Sequence, residues 1–129
     1  VAMIDVDHFK RINDQHGHYV GDKVLQHIAS IYTRTLRESD IVARIGGEEF
    51  CLLCVNVDNE DAERLLERYR KTIMKTPLII DHSTVSMTVS IGYTMQLADS
   101  LEHMMKDADS ALYEAKATGR NKVVRFGAA

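Results

Sequence analysis

A chain of 129 residues, 45% hydrophobic and with a single proline, is sized for one compact domain with one core and no linker. Its formal net charge of -3 excludes binding to nucleic acid or an anionic membrane through the overall field, so any phosphate contact must be local. No apolar run approaches the roughly 18 residues of a membrane span, and Asp5 and Asp7 interrupt the start where a signal peptide would be apolar. The expected compartment of the domain is the cytoplasm.

VAMID, residues 1–5, reads as a central buried strand, continuously apolar and ending in a carboxylate. It opens with no turn or cap before it, so further natural sequence is expected upstream, a route by which the full-length protein could be anchored to a membrane. HFKRINDQH follows as a short helix broken at Gly17. From Tyr19, the residues Val20, Val24, Leu25, Ile28, Ile31 and Leu36 recur at helical spacing, and the helix runs to about Arg37, where RESD ends it. IVARI and EEFCLLCVNV flank Gly46 and Gly47, which predicts a hairpin. Cys51 and Cys54 form a CxxC, but positions three apart in a strand face opposite ways and cannot converge on one metal or bond. The six histidines are scattered and read as loop or helix-end residues.

Asn59 is placed to cap a third helix, with Glu60 and Asp61 at its positive end and a stripe of Ala62, Leu65, Leu66, Tyr69 and Ile73. That helix is expected to stop near Thr76 and Pro77. PLIIDHSTVSMTVSIGY reads as two strands around a turn, with Val85, Met87, Val89, Ile91 and Tyr93 alternating against Ser86, Thr88, Ser90 and Gly92. Small residues along one face predict a helix packed closely there. Leu101, Met104, Met105, Ala108, Ala111, Leu112 and Ala115 define a last helix closed by Gly119, with the methionine pair in its core face. NKVVRF closes as a strand. This order of elements predicts an α/β (α+β) fold, one mixed, mostly antiparallel sheet flanked by helices.

The chemistry concentrates in RIGGEEF, residues 44–50. Each glycine costs roughly 0.5–1 kcal/mol against alanine in a strand, in exchange for unusual dihedrals or the close approach of another molecule. If Asp5 ends a central strand beside the hairpin, Asp5, Glu48 and Glu49 collect at one sheet edge. Such carboxylates persist around a hard divalent cation, and Mg²⁺ takes one or two of them while keeping positions for water and phosphate. Glu48, nearer the glycines, is favoured over Glu49; an acidic solvated turn is the competing reading. Lys10, Lys116 and Arg120 are candidate phosphate holders, though Lys116 and Arg120 also suit the negative end of a helix dipole. On the residues alone Asn13 and Asp22 read as helix-end caps, and for Arg37 and Asp40 a surface ion pair after a helix is the competing reading.

RIGGEEF, DVDHFKRINDQHGHYVGD, DIVAR, VSIG and ADSALYEAKATGRN, in this order and spacing, resemble the GGDEF family of diguanylate cyclases, in its GGEEF variant. The resemblance spans almost the whole chain, 1–129, lacking the helix with a DxLTGLxNRR-like signature that normally precedes the first strand and any upstream sensor domain. It implies a fold similar to the nucleotidyl cyclase and polymerase palm. It further implies condensation of two GTP into cyclic di-GMP and two pyrophosphates across a homodimer, each subunit holding one GTP, without nucleic acid or direct membrane contact. Asp5, the carbonyl of Val6, and Glu48 then look like ligands of two Mg²⁺ or Mn²⁺ ions, with Glu48 or Glu49 deprotonating the attacking hydroxyl. Lys10, Lys116 and Arg120 match phosphate and transition-state contacts; Gly46 and Gly47 lie along the phosphates; Asn13, His18 and Asp22 match guanine-reading positions. Arg37 and Asp40 fall where the family carries an RxxD site for inhibitory product, with Arg64 or Arg68 completing it. The alternative is a module that keeps the fold and binds GTP or cyclic di-GMP without turnover; a cyclase making a 3′,5′ monomeric product is a weaker third.

Overall fold

The computed structural model describes residues 1–127. In chain order the elements are β1 (Ala2–Val6), α1 (Phe9–His16), α2 (His18–Thr35), β2 (Ile41–Gly46), β3 (Glu49–Leu53), α3 (Asn59–Lys75), β4 (Leu78–Ile80), β5 (Ser83–Val85), β6 (Val89–Tyr93), α4 (Leu101–Ala117) and β7 (Val123–Arg125). Five strands form one sheet in the order β2-β3-β1-β6-β7, antiparallel except for the parallel β6–β7 pair, and β4 and β5 form a separate ribbon. The mixed, mostly antiparallel sheet is as the residue pattern predicts. The β1 strand lies at its centre, buried along its whole length.

Alternation along the strands sorts the chain into three layers. Ala2, Ile4, Val6, Phe50, Leu52, Val89 and Ile91 face α2 and α3 in the main core, with Val24, Ile28, Ile31, Leu66, Tyr69 and Ile73 against them. Met3 and Cys51 face the other way, under Ala108 and Leu112 of α4. Gly92 lies on that second face, and a β-carbon there would overlap the backbone of α4 at Ala108 and Leu112. The expected close helix is therefore α4. Its C-terminus ends as the glycine predicts: Gly119 has φ +118°, and the Arg120 N–H bonds the Ala115 carbonyl at 2.9 Å.

Several details differ from the sequence expectation. The run expected as two strands around a turn contains three, because β5 ends at Val85 and pairs with β4, while β6 starts at Val89 and pairs with β1. Alternation continues across residues 85–93 and gives no sign of the switch. The cap of α3 is Asp58, whose side chain accepts from the Asp61 N–H; the neighbouring Asn59 instead accepts from the Tyr93 hydroxyl at 3.1 Å. The β3 strand stops at Leu53, so Cys54 lies beyond it; Cys51 packs under α4 and Cys54 against the main core, and both are free. The apolar β2 is an exposed edge strand, with Ile41 60% and Ile45 46% accessible, and Leu101 is exposed rather than buried. No helix among the described residues is long and apolar enough to cross a membrane.

Candidate active site

The exit of β1 is fixed from both sides. The Val6 N–H donates to the Glu48 carbonyl at 3.3 Å, and the Asp7 N–H to the Thr88 carbonyl at 2.9 Å. Asp5 shares the α4 face with Met3, and Lys116 of α4 reaches across to bond its Oδ2. Glu49 stands directly opposite Asp5 in the β1–β3 register, and Glu48 lies in the turn before it. Strand alternation predicts that Glu48 and Glu49 point apart; the turn leaves Glu48 outside the strand, where its charge raises the Asp5 carboxyl, and Asp5 in turn raises that of Glu49.

The electrostatics follow from burial. Burial pushes the Asp5 carboxyl up; Lys116 pulls it down without cancelling the effect, and the charges of Glu48 and Asp7 add to the rise. Burial also raises Glu49, helped by Asp109 of α4 and by Asp5. Asp5 Oδ1 is buried and has no hydrogen-bond partner. Five carboxylates are thus linked, Glu48 and Asp7 through Asp5, and Asp5 and Asp109 through Glu49, with the ammonium of Lys116 opposing the rise at both Asp5 and Glu49.

The hairpin turn is bare. Neither Gly46 nor Gly47 would bring a β-carbon within 4 Å of any other group, so packing within the chain does not demand them. Gly47 has φ +45°, which explains glycine there; Gly46 has no such backbone reason. The β2–β3 register shifts between Arg44 and Gly46, and the Arg44 Nε bonds the Gly47 carbonyl at 2.8 Å, which fixes the turn.

On the opposite face, α2 and the β2–β3 edge enclose a cleft of about 980 Å³ with Asp22, Leu25, Tyr32, Arg37, Asp40 and Arg44 in its wall. Asn13 is turned toward α2; its Oδ1 is buried and unpartnered and fills the space that a β-carbon on Gly21 would take. His18, the first residue of α2, and Lys10 on α1 are exposed. Arg120 is exposed just beyond α4.

Arg37 and Asp40 do more than lie near each other. Arg37 Nη2 meets Asp40 Oδ1 at 2.8 Å, Asp40 Oδ2 accepts the Arg37 N–H at 2.9 Å, and the Val55 carbonyl accepts from the same guanidinium at 3.0 Å. Arg68 reaches the Thr35 carbonyl at 2.5 Å, two residues before Arg37. Arg64 instead pairs with Asp61 on its own helix. Of the two arginines expected to join this pair, Arg68 reaches the main chain next to it and neither touches Arg37 or Asp40.

Asp7 and Asp109 escaped the sequence reading. Asp7 is two residues beyond Asp5 and so on the same face of a strand, and Asp109 is two helical turns before Lys116. Those spacings were the available signal.

A mixed, mostly antiparallel sheet with carboxylates at a central strand exit, crossed by a lysine-bearing helix, defines a palm-type domain. The chain belongs to the GGDEF family: the family model described as "Diguanylate cyclase, GGDEF domain" matches residues 1–122. It is 43% identical over 124 residues to diguanylate cyclase DgcP of Pseudomonas aeruginosa, covering 95% of this chain and 18% of that protein. It is 40% identical over 128 residues to cyclic di-GMP phosphodiesterase NbdA of the same organism, covering 98% of this chain and 16% of that protein. The crystal structure of the GGDEF domain of DgcB from Caulobacter crescentus in complex with c-di-GMP superposes with a TM-score of 0.92 at 33% identity, covering 98% of this chain and 77% of that one. The chain spans between 16 and 35% of the length of these and similar curated relatives.

Proposed function

We propose that this domain, residues 1–129, is a diguanylate cyclase that joins two GTP molecules into cyclic di-GMP with release of two pyrophosphates. The observation that carries the reading is the acid cluster around Lys116, beside a turn whose Gly46 nothing within the chain requires. A nucleoside triphosphate brought to five carboxylates and one ammonium would be repelled unless cations came with it. Residues and cation fit: Asp5, with its unpartnered Oδ1, Glu48 and the Val6 carbonyl supply the hard oxygen donors. Among the described residues no three His, Cys, Asp or Glu side chains converge on an ion, so part of the coordination falls to main chain, water and phosphate. Bound there as a pair, Mg²⁺ or Mn²⁺ would neutralise charge growing on the triphosphate and lower the pKa of the attacking hydroxyl.

The chain's own groups divide the remaining work. Glu49, on the face of Asp5 with its carboxyl raised by burial and by Asp109, or Glu48 in the turn before it, accepts the 3′ proton. Lys116, Arg120 and Lys10 hold phosphate, and Gly46 and Gly47 let the turn lie along it. Asn13, His18 and Asp22 read the guanine. In each half-reaction the 3′ oxygen of one nucleotide attacks the α-phosphate of the other and expels pyrophosphate, which demands two facing subunits. Incubating the full-length protein with GTP and Mg²⁺ and weighing the product tests this: cyclic di-GMP is expected, and a 3′,5′ monomeric product overturns it. The second reading is a domain that binds without turnover, favoured by the similarity to a protein named as a phosphodiesterase; binding of GTP with no product would establish it.

Two substitutions test the parts. Gly21→Ala should leave stability within about 1 kcal/mol, since alanine is the better helix former, yet push Asn13 off its place and raise KM for GTP about tenfold. An unchanged KM would remove Asn13 from the guanine site. Arg37→Ala should raise the cyclic di-GMP concentration that half-inhibits the enzyme by at least ~10-fold, because the guanidinium fork that could grip a phosphate or a guanine is lost. An inhibition curve that does not move would dispose of the product site at Arg37 and Asp40.

A further inference from the structure

The loop after α4 holds an unusual backbone. Gly119, Arg120 and Asn121 have φ of +118°, +64° and +47°, three left-handed residues in a row, of which only the first is glycine. Asparagine tolerates this conformation through its short polar side chain; arginine has no such excuse. Strain of this kind persists only where surrounding contacts over-determine it, and such places concentrate at functional sites.

The contacts are those of Asn121. Its N–H donates to Asp7 Oδ2 at 3.0 Å. Its Oδ1 and its carbonyl both accept from Arg70 Nη1, at 2.8 and 3.3 Å, and its Nδ2 meets the Met74 sulfur at 3.3 Å. Every polar group of Asn121 is therefore engaged. Both grips are themselves rigid. Arg70, on α3 and with a side chain only 12% accessible, is forked onto Glu67 through Nε and Nη2, each at 2.9 Å. Asp7 is buried and also accepts from Thr88 at 2.6 Å and Ser90 at 2.5 Å. Arg120, one residue earlier, is exposed, and its guanidinium makes no hydrogen bond or ion pair among the described residues.

We infer that Arg70 is a positioning residue for the triphosphate: through Asn121, and together with Asp7, it holds Arg120 in the left-handed turn that follows α4, four residues beyond Lys116, from which its guanidinium reaches the phosphates. This rests on the cyclase reading for the identity of the triphosphate. The chain of contact crosses the molecule, because α3 packs on one face of the sheet while α4 and the acid cluster occupy the other. Loosening one end lets the loop relax toward ordinary dihedrals and moves Arg120 off the phosphates. A misplacement of about 1 Å can cost a rate factor on the order of 100.

The test compares Arg70→Gln, Arg120→Ala and the double variant in the full-length protein. The readouts are kcat and KM for GTP, affinity for a non-hydrolysable GTP analogue and for guanosine, and melting temperature. Arg70→Gln should lower kcat and weaken the analogue about tenfold or more, leave guanosine affinity unchanged, and cost nothing further once Arg120 is alanine. Equal losses with and without Arg120, or losses shared by guanosine, would make Arg70 a structural residue and overturn the inference. Asn121→Gly covers the case in which Arg70→Gln does not fold: glycine keeps the dihedrals and the main-chain bonds but drops the Oδ1 bond, so a smaller loss of the same pattern is expected, and wild-type behaviour also overturns it. If the wild type binds the analogue but forms no dinucleotide, the cyclase reading fails while the affinity comparison still decides the role of Arg70. If the wild type binds no triphosphate, both fall.

Discussion

Asp5→Asn is expected to lower turnover by a factor of at least ~10³ while leaving the fold as stable as before, or more so. The two effects have one cause. Asp5 is buried, and burial together with the charges of Glu48 and Asp7 holds its carboxyl above the usual range despite Lys116. A carboxyl raised on folding is better tolerated protonated. As pH climbs from the ordinary carboxylate range through the raised value, the unfolded chain has already released a proton that the fold still keeps, so stability falls over that window and the penalty stands in full above it. Glu49, raised in the same direction, adds to this. Asparagine has the same shape without the charge and removes the penalty, while Lys116, 36% accessible, can turn to solvent once the ion pair is lost. On the cyclase reading turnover needs that charge, because the acid cluster is what would draw a divalent cation and, with it, a triphosphate. Adding Mg²⁺ and a non-hydrolysable GTP analogue should raise the melting temperature of the wild type and not that of Asp5→Asn. Glu48→Ala should lose turnover to a similar extent. Wild-type turnover in either variant would remove the acid cluster from the chemistry.

The parts of this site that could be read from the sequence are those whose signals are local. An apolar run ending in Asp5 fixes a strand exit, and a glycine pair between two apolar runs fixes a hairpin, so the meeting of Asp5 with Glu48 and Glu49 follows from two short patterns. The stripe of Ser90 and Gly92 likewise announces a close helix. What could not be read depends on partners distant in the chain. Nothing near Asp7 says that Thr88, Ser90 and Asn121 converge on it, and Arg70 meets Asn121 across 51 positions. Apolar alternation could not tell the exposed edge strand β2 from a buried one, because the pattern records which residues can be covered and not whether anything covers them. The choice of Asp58 over Asn59 as the cap was also beyond local pattern, since both are good caps and Tyr93, in a strand far along the chain, engages Asn59.

Gly92 is the place where a locally legible signal carries the heaviest structural consequence. A β-carbon there would overlap the backbone of α4 at Leu112 and Ala108 and lie 2.6 Å from the Ala111 carbonyl carbon. These are helix backbone atoms, which cannot rotate out of the way as a side chain would. Gly92→Ala must therefore lift α4 from the sheet. That movement strips the packing of Ala108 and Leu112 on Met3 and Cys51, and it draws Lys116 away from Asp5. Overpacking of this kind costs about 3 kcal/mol or more, against a total stability on the order of 5–15 kcal/mol. For a domain of this size, that corresponds to a fall in melting temperature of roughly 10 °C or more, which thermal unfolding followed by circular dichroism would measure. Activity should fall further than stability under conditions where the variant remains folded, because the same displacement that opens the second core also separates the ammonium from the carboxylates it balances. A variant that melts with the wild type would mean that α4 does not rest on β6 at this distance, and the placement of Lys116 over Asp5 would fall with it.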